Sequence, residues 1–279
     1  MTPVEPSSAQ STEESGQVWS RLFPYRAVLA VDARNFSAHT STEMQQINAD
    51  IQTLLDRALF GVGLSGQWER RSFGQHTGDG YVAGLDTQVL PALVGCFPDA
   101  LREELWSLRQ ERPGRSPLQL RVSIHVGPLP DSGLGVPMVH THRLLDDQAL
   151  RDLLSRADPE VTNTAVIISE RVYEDVFESG CQTGHAVPSQ FKGRFVRVKT
   201  FERPARLHVP GLDWGLADSS IFDVPGDAAG QSGVGADVPP AGPPAPPAAG
   251  GVTFHQNGSG NGAVQGLTNH VHNDFRGQS

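Results

Sequence analysis

The chain has 279 residues, of which 38% are hydrophobic, and a formal net charge of -9 at pH 7. This length and composition predict one domain with tails, and the negative charge argues against nucleic acid or an anionic membrane as a partner. No apolar run approaches the ~20 residues that a membrane-spanning helix needs.

The first 20 residues are polar and acidic and have no apolar core, so they predict a disordered lead-in and not a secretory signal. Cys96 and Cys181 are isolated and lack CxxC spacing, which indicates reduced thiols. We therefore expect a cytoplasmic protein.

The first predicted strand is an apolar run that begins at Tyr25 and ends in the carboxylate of Asp32. A carboxylate at the end of a buried strand is costly to bury unless it is paired or bound to a cation. Asp32 is therefore a candidate metal ligand.

A second carboxylate, Asp79, lies between two strand-like runs, residues 68–77 and 81–85, and is followed by Gly80. An Asp-Gly step between alternating apolar runs predicts a hairpin turn, because glycine supplies the positive φ that such turns require. Two carboxylates brought side by side suit a hard ion such as Mg²⁺ holding a substrate phosphate. Asp32 and Asp79 together thus predict a metal site.

The remaining periodicity predicts an α+β domain. Apolar spacing indicates helices over 40–59, with a Thr40 and Glu43 capping box, and over 87–109, with an interruption at Pro98. Alternation predicts a central strand over 118–126. The resulting βαββαβ order is ferredoxin-like, with helices on one face of an antiparallel sheet and the other face free. Further predicted elements are a helix over 143–154, a strand over 165–169, a helix over 170–177 and strands over 195–201 and 203–209.

Three stretches, residues 32–37, 77–80 and 122–128, resemble motifs of the catalytic domain of class III nucleotidyl cyclases. The resemblance covers roughly residues 25–211, and the predicted domain spans residues 21–211. It implies a homodimer with the active site between its subunits, in which Asp32 and Asp79 hold two Mg²⁺ or Mn²⁺ ions. A nucleoside triphosphate would then be converted to a cyclic nucleotide and pyrophosphate.

Other substrate contacts follow from the same comparison and from local sequence. The backbone N–H groups of Asn35, Phe36 and Ser37, in a turn that leads to a helix, are expected to cradle phosphates. Arg143 stands at the position of the family's catalytic arginine, which stabilises charge in the transition state.

Two positions depart from the family pattern. Val139 or His140 stands where an asparagine is expected to bind the ribose, and Gln75 replaces the lysine by which adenylyl cyclases select their base. Glutamine can donate and accept hydrogen bonds, so it is compatible with guanine or a pyrimidine. Two alternatives follow: a cyclase with unusual base choice, or a degenerate copy that binds nucleotide or dimerises without turnover.

The C-terminal part has a different composition. Residues 212–250 are acidic and then rich in Pro, Ala and Gly, which predicts a linker. In residues 251–279, the stretch Val264, Gln265, Gly266 and Leu267 resembles bacterial amyloid signalling motifs related to the RIP homotypic interaction motif, and such segments stack as cross-β. The alternative is a low-complexity tail.

Together these features predict a bacterial signalling protein, recruited or clustered through its C-terminal motif to a receptor or effector with a matching motif in a defence response. The competing prediction is a catalytically degenerate scaffold in such an assembly.

Overall fold

The computed structural model describes residues 22–217. Within them, seven strands form one sheet in the order β2-β3-β1-β4-β5-β7-β6. All neighbours are antiparallel except β4 and β5, which are parallel. The strands are β1 (Tyr25–Ala33), β2 (Phe73–His76), β3 (Gly80–Leu85), β4 (Leu120–Pro128), β5 (Thr164–Ser169), β6 (Lys192–Val198) and β7 (Phe201–His208).

The first four strands stand in the order 2-3-1-4, the ferredoxin-like arrangement, so the predicted α+β class is confirmed. The helices are α1 (Ser41–Gly61), α2 (Ser65–Glu69), α3 (Leu90–Val94), α4 (Phe97–Glu111), α5 (Val136–Leu145), α6 (Gln148–Arg156) and α7 (Glu170–Tyr173). Short 3₁₀ turns cover Phe36–Ala38, Thr87–Val89 and Pro188–Gln190, and a π-helical turn covers Glu174–Glu178.

Both faces of the sheet are covered over its central strands. On one face, Leu29 and Val31 of β1 pack in the cluster formed with α1, α3 and α4. On the other face, Val28 and Ala30 pack in a second cluster with α5 and α6. The expectation of a free second face is therefore wrong, because the apolar sides of α5 and α6 close it over β1, β4 and β5.

The helix α1 begins where the sequence predicts. The Thr40 hydroxyl accepts from the Glu43 backbone N–H, and the Glu43 carboxylate accepts from the Thr40 backbone N–H at 2.8 Å, which completes the capping box. The predicted second helix is broken between α3 and α4 near Gly95, and Pro98 lies in the first turn of α4 rather than at the break.

Several boundaries differ from prediction. Residues 68 and 69, predicted as the start of a strand-like run, belong to the helix α2, because the buried Trp68 donates from its indole N–H to Asp56 on α1 and folds this segment over the end of that helix. The last two strands begin two or three residues earlier than predicted, β6 at Lys192 and β7 at Phe201. The predicted helix over 143–154 is two helices, of which α5 begins at Val136. Asp147 separates them, since its carboxylate caps α6 by accepting from Leu150 N at 3.1 Å.

The predicted lead-in, most of the linker and the Val264 to Leu267 motif lie outside the described residues. Within residues 22–217, no helix has the length and apolarity required to span a bilayer.

Candidate functional site

Asp32 lies near the end of β1, opposite Gly80 of β3 and Arg121 of β4. Because side chains alternate along a strand, Asp32 shares the α5 and α6 face of the sheet with Val28 and Ala30. Only 9% of its surface is exposed. A carboxylate buried to this degree requires compensation from a neighbouring positive charge.

Arg121 supplies that compensation. Its Nη2 donates to Asp32 Oδ2 at 2.9 Å, and its Nε lies 2.8 Å from Asp32 Oδ1. The second contact is an ion pair without hydrogen-bond alignment, so Oδ1 has no aligned donor within residues 22–217. Burial raises the pKa of Asp32 from 3.8 to about 6, and the attraction of Arg121 opposes that rise only in part. Asp32 therefore retains an oxygen with unused acceptor capacity.

Asp79 is held beside Asp32 by the backbone of the hairpin. Ala33 N donates to the Asp79 carbonyl at 2.8 Å, and Thr77 N donates to the Gly80 carbonyl at 3.0 Å. The predicted hairpin is confirmed, but the positive φ of its turn belongs to Gly78, at 95°, and not to Gly80, which is already the first residue of β3. The half-buried Asp79 carboxylate forms no ion pair in the described part of the chain, and its negative charge also raises the pKa of Asp32.

The turn after β1 presents unbonded donors. Asn35 adopts a left-handed conformation with φ 57°, and a single 3₁₀ turn follows it. Across the described chain, the backbone N–H groups of Asn35, Phe36 and Ser37 have no acceptor, whereas the next two residues, Ala38 and His39, bond back to Asn35 and Phe36. Three adjacent free N–H groups form a concave site with partial positive charge, of the kind that binds phosphate oxygens.

These groups line one cavity of about 770 Å³ between the ends of β1, the β2–β3 hairpin, α5 and α6. From the helices, His142 and Arg151 also reach the cavity. Burial lowers the pKa of His142, although the nearby Asp146 and Asp79 carboxylates oppose this, so the imidazole is predominantly neutral at pH 7. Arg151 is paired with Asp146 and lies close enough to lower the pKa of Asp32.

The two carboxylates fit a divalent cation in part. In residues 22–217, no three His, Cys, Asp or Glu side chains cluster closely enough to hold a metal ion. Mg²⁺ ordinarily takes one or two protein carboxylates and completes its shell with water and substrate phosphates. Asp32 and Asp79, with the spare Oδ1 acceptor of Asp32, match that requirement, provided that a phosphate-bearing ligand enters with the ion.

Five of the predicted site residues meet in this cavity: Asp32, Asp79, Asn35, Phe36 and Ser37. The other three lie elsewhere in the protomer. Gln75 is exposed on β2. His140 packs on α5 with its ring 4.9 Å from Phe201 and 5.5 Å from His125. Arg143 is half-buried, with its Nη1 3.7 Å from Asp146.

Sequence reasoning missed Arg121, His142 and Arg151. For Arg121 a signal was present, because Arg121, Ser123 and His125 form a polar stripe opposite the apolar face of β4. The register that places Arg121 beside Asp32 is not readable from either strand alone.

No protein-family model matches the chain, and no curated protein matches it in sequence. Solved structures that resemble it are adenylyl and guanylyl cyclases. The guanylyl cyclase Cya2 is 16% identical, with 67% of this chain and 91% of that chain covered at a TM-score of 0.42. An adenylate/guanylate cyclase/hydrolase from Silicibacter pomeroyi is 20% identical, with coverages of 66% and 94% and a TM-score of 0.43. The adenylyl cyclase CyaB from P. aeruginosa is 15% identical, with 66% and 92% covered at 0.43. Likenesses of this degree assign no activity.

Proposed function

We propose that the domain binds a nucleoside triphosphate with Mg²⁺ or Mn²⁺ and converts it to a cyclic nucleotide and pyrophosphate. The observation that carries the proposal is the cavity in which Asp32 and Asp79 meet the free N–H groups of Asn35, Phe36 and Ser37. Carboxylates for a cation and N–H groups for an anion, in one concave space, suit a metal-bound phosphate chain.

Each group has a defined task in this proposal. Asp32 and Asp79 hold the cation, and the turn from Asn35 to Ser37 orients the terminal phosphates. When bound, the metal supplies charge neutralisation for the triphosphate and lowers the pKa of the ribose hydroxyl. Arg121, with its Nε 2.8 Å from Asp32 Oδ1, would share that carboxylate with the cation and would be placed to donate to a phosphate oxygen.

The remaining contacts are proposed to come from a second subunit. Arg143 lies outside its own protomer's cavity, and its closest carboxylate is 3.7 Å away on the half-exposed Asp146, so it is not committed to a tight pair. In a homodimer, Arg143 of one chain would stabilise the developing charge in the cavity of the other. His140 and Gln75 of that second chain would contact the ribose and the base.

One observation favours a second function, a nucleotide-binding or dimerising scaffold without turnover. The guanidinium of Arg121 already neutralises Asp32, which weakens the drive to bind a cation there. The asparagine position of the family pattern, at Val139 or His140, and the lysine position, at Gln75, are also altered.

Incubation of the purified chain with each of the four ribonucleoside triphosphates, with Mn²⁺ or Mg²⁺, distinguishes the two functions by chromatography of cyclic products. We expect product from one base at least, and its loss in Asp32→Asn and Asp79→Asn. Asp131→Asn is the matched control, because Asp131 is exposed and its pair with Arg26 contributes little. Metal-dependent nucleotide binding without product supports the nucleotide-binding scaffold, and absence of both product and binding leaves only the dimerising scaffold.

Mixing of two inactive variants tests the shared site. Asp32→Asn inactivates the cavity of its own chain, and Arg143→Ala inactivates the cavity of the partner chain. Random pairing of equal amounts would then give half heterodimers with one intact site each, about a quarter of wild-type activity. Mixtures that remain inactive would exclude Arg143 as a contribution from the second subunit.

For the C-terminal segment, we propose that the Val264 to Leu267 stretch recruits the domain to a receptor or effector with a matching motif, as part of a cytoplasmic bacterial defence response. Clustering would raise the local concentration of cyclase domains and favour their dimerisation. Thioflavin fluorescence of a peptide spanning residues 251–279 tests the assembly step. A peptide that stays soluble and dye-negative would leave the tail as a linker only.

A further inference from the structure

A second cavity, of about 260 Å³, lies on the opposite face of the sheet from Asp32. Its walls are the first half of α1, the end of α4 and the segment 112–118 that leads into β4. Small-molecule pockets usually measure ~300–1,000 Å³. This one therefore suits a small ligand.

The cavity carries an excess of positive charge in a chain of net charge -9. Four arginines line it against two carboxylates. Two of the arginines are neutralised, since Arg112 pairs with Asp50, and Arg109 pairs with Glu160 outside the cavity. The charges of the other two, Arg34 and Arg115, remain available.

Within the described residues, neither Arg34 nor Arg115 forms an ion pair. Arg34 donates to the side chain of Gln119, a neutral acceptor. Arg115 makes no side-chain hydrogen bond in this part of the chain, and only the charge of Glu43 interacts with it at longer range. A guanidinium without a carboxylate partner at the wall of a cavity is free to take an anion in bidentate geometry.

The floor of the cavity is apolar, with Ile47, Leu105, Leu108 and Leu118 among its lining residues. Leu105 is buried, and the other three are half-buried against the core. A ligand that fills this space needs a flat or apolar body in addition to its anionic group.

We propose that this cavity binds a small phosphate-bearing molecule with an aromatic or apolar body, of the size of a nucleoside monophosphate. Arg34 and Arg115 hold the phosphate, and the leucine-rich floor holds the body. The site is separate from the Asp32 cavity and needs no divalent cation, because its charge complement comes from arginine. Arg34 lines both cavities, so an occupant contacts the chain immediately before the Asn35 turn.

The experiment is calorimetric titration of the full chain with adenosine monophosphate in the presence of EDTA. Adenosine and inorganic phosphate are titrated separately as its two halves. We expect the monophosphate to bind more tightly than either half. Loss of one charge-assisted contact should weaken binding of the monophosphate to Arg115→Ala by about tenfold to a hundredfold. Arg70→Ala, at an exposed arginine outside both cavities, should bind as the wild type does.

Two further variants identify the site that is occupied. Leu108→Gln should weaken the monophosphate and leave inorganic phosphate unchanged, because it alters only the floor. Asp32→Asn/Asp79→Asn should bind the monophosphate normally. Failure of cyclase activity in that variant therefore leaves this proposal intact.

Three results would overturn the proposal. They are no binding of the monophosphate at millimolar concentration, binding that Arg115→Ala leaves unchanged, and binding that disappears in Asp32→Asn/Asp79→Asn. Binding of a poly-glutamate peptide in place of the monophosphate would instead identify a docking groove for an acidic protein segment. Arg115 is exposed and its side chain forms no hydrogen bond or ion pair in the described part of the chain, so the variant should fold, and circular dichroism checks this.

Discussion

Replacement of Arg121 by methionine is the sharpest test of the Asp32 pair. Methionine keeps most of the length and apolar contact of the arginine stem but removes the cation at 2.8 Å from Asp32 Oδ1. Asp32 is then a buried carboxylate without a partner. We expect a loss of stability that depends strongly on pH.

The magnitude follows from the pKa of Asp32. A folded-state pKa of about 6 against 3.8 means that ionised Asp32 already costs the fold about 3 kcal/mol at neutral pH. The stability from protonated Asp32 is complete below 3.8 and is lost as the pH rises through 6. Without Arg121 the folded pKa moves higher still, so the loss continues to higher pH. Removal of one partner of a buried pair costs ~3–5 kcal/mol where the remaining charge stays ionised.

Urea unfolding in EDTA at about pH 5 and about pH 8 measures the stability with Asp32 mostly protonated and mostly ionised. The free energies of unfolding come from linear extrapolation. We expect a small difference from wild type at the lower pH and about 3 kcal/mol of destabilisation at the higher pH. The double variant Arg121→Met/Asp32→Asn should recover most of that loss, because it leaves no buried charge. An equal loss at both pH values, or a double variant as unstable as the single, would refute the electrostatic account.

Three other substitutions test the scaffold around the site. Gly80→Ala places a Cβ 2.0 Å from the Val31 carbonyl and should destabilise by about 3 kcal/mol in urea unfolding, because the obstacle is backbone. Thr40→Ala removes a helix cap and should cost about 1 kcal/mol by the same assay. Burial lowers the pKa of His125 from 6.5 to about 4, so the charging of this histidine should cost about 3 kcal/mol of stability as the pH falls from 6.5 towards 4. Protonation of Asp32 acts in the opposite direction over this range, so the loss is measured as the change with pH in the difference between the unfolding free energies of wild type and His125→Phe.

Each of these has a matched control. A Cβ at Gly61 meets nothing within 4 Å, so Gly61→Ala should not reproduce the effect of Gly80→Ala. Thr53→Ala alters an exposed threonine in the middle of α1, where no cap is lost. His76→Gln changes an exposed histidine and should keep the acid-dependent loss. If a control behaves as its test variant does, the local explanation is wrong.

The sequence predicted the parts of the site that depend on local patterning. Asp32 follows an alternating apolar strand and Asp79 precedes a glycine in a turn, and both lie where those patterns indicate. The contribution of Arg121 depends on the register between β1 and β4, which tertiary pairing sets. The covered second face was missed for a related reason. Its closure depends on α5, whose start at Val136 is determined by a proline and a loop rather than by a long apolar period.

In the β2–β3 hairpin, the backbone and the side chain of Asp79 have different roles. The Asp79 carbonyl accepts a hydrogen bond from the Ala33 N–H and so ties the hairpin to β1, whereas the Asp79 carboxylate forms no ion pair within residues 22–217. Under the proposed function, a single codon change at this position would therefore remove or restore a cation ligand while the domain stays intact. Position 32 has no such freedom, since its side chain is tied to Arg121. Under the proposed function, related domains without activity are therefore expected to have changed Asp79 before Asp32.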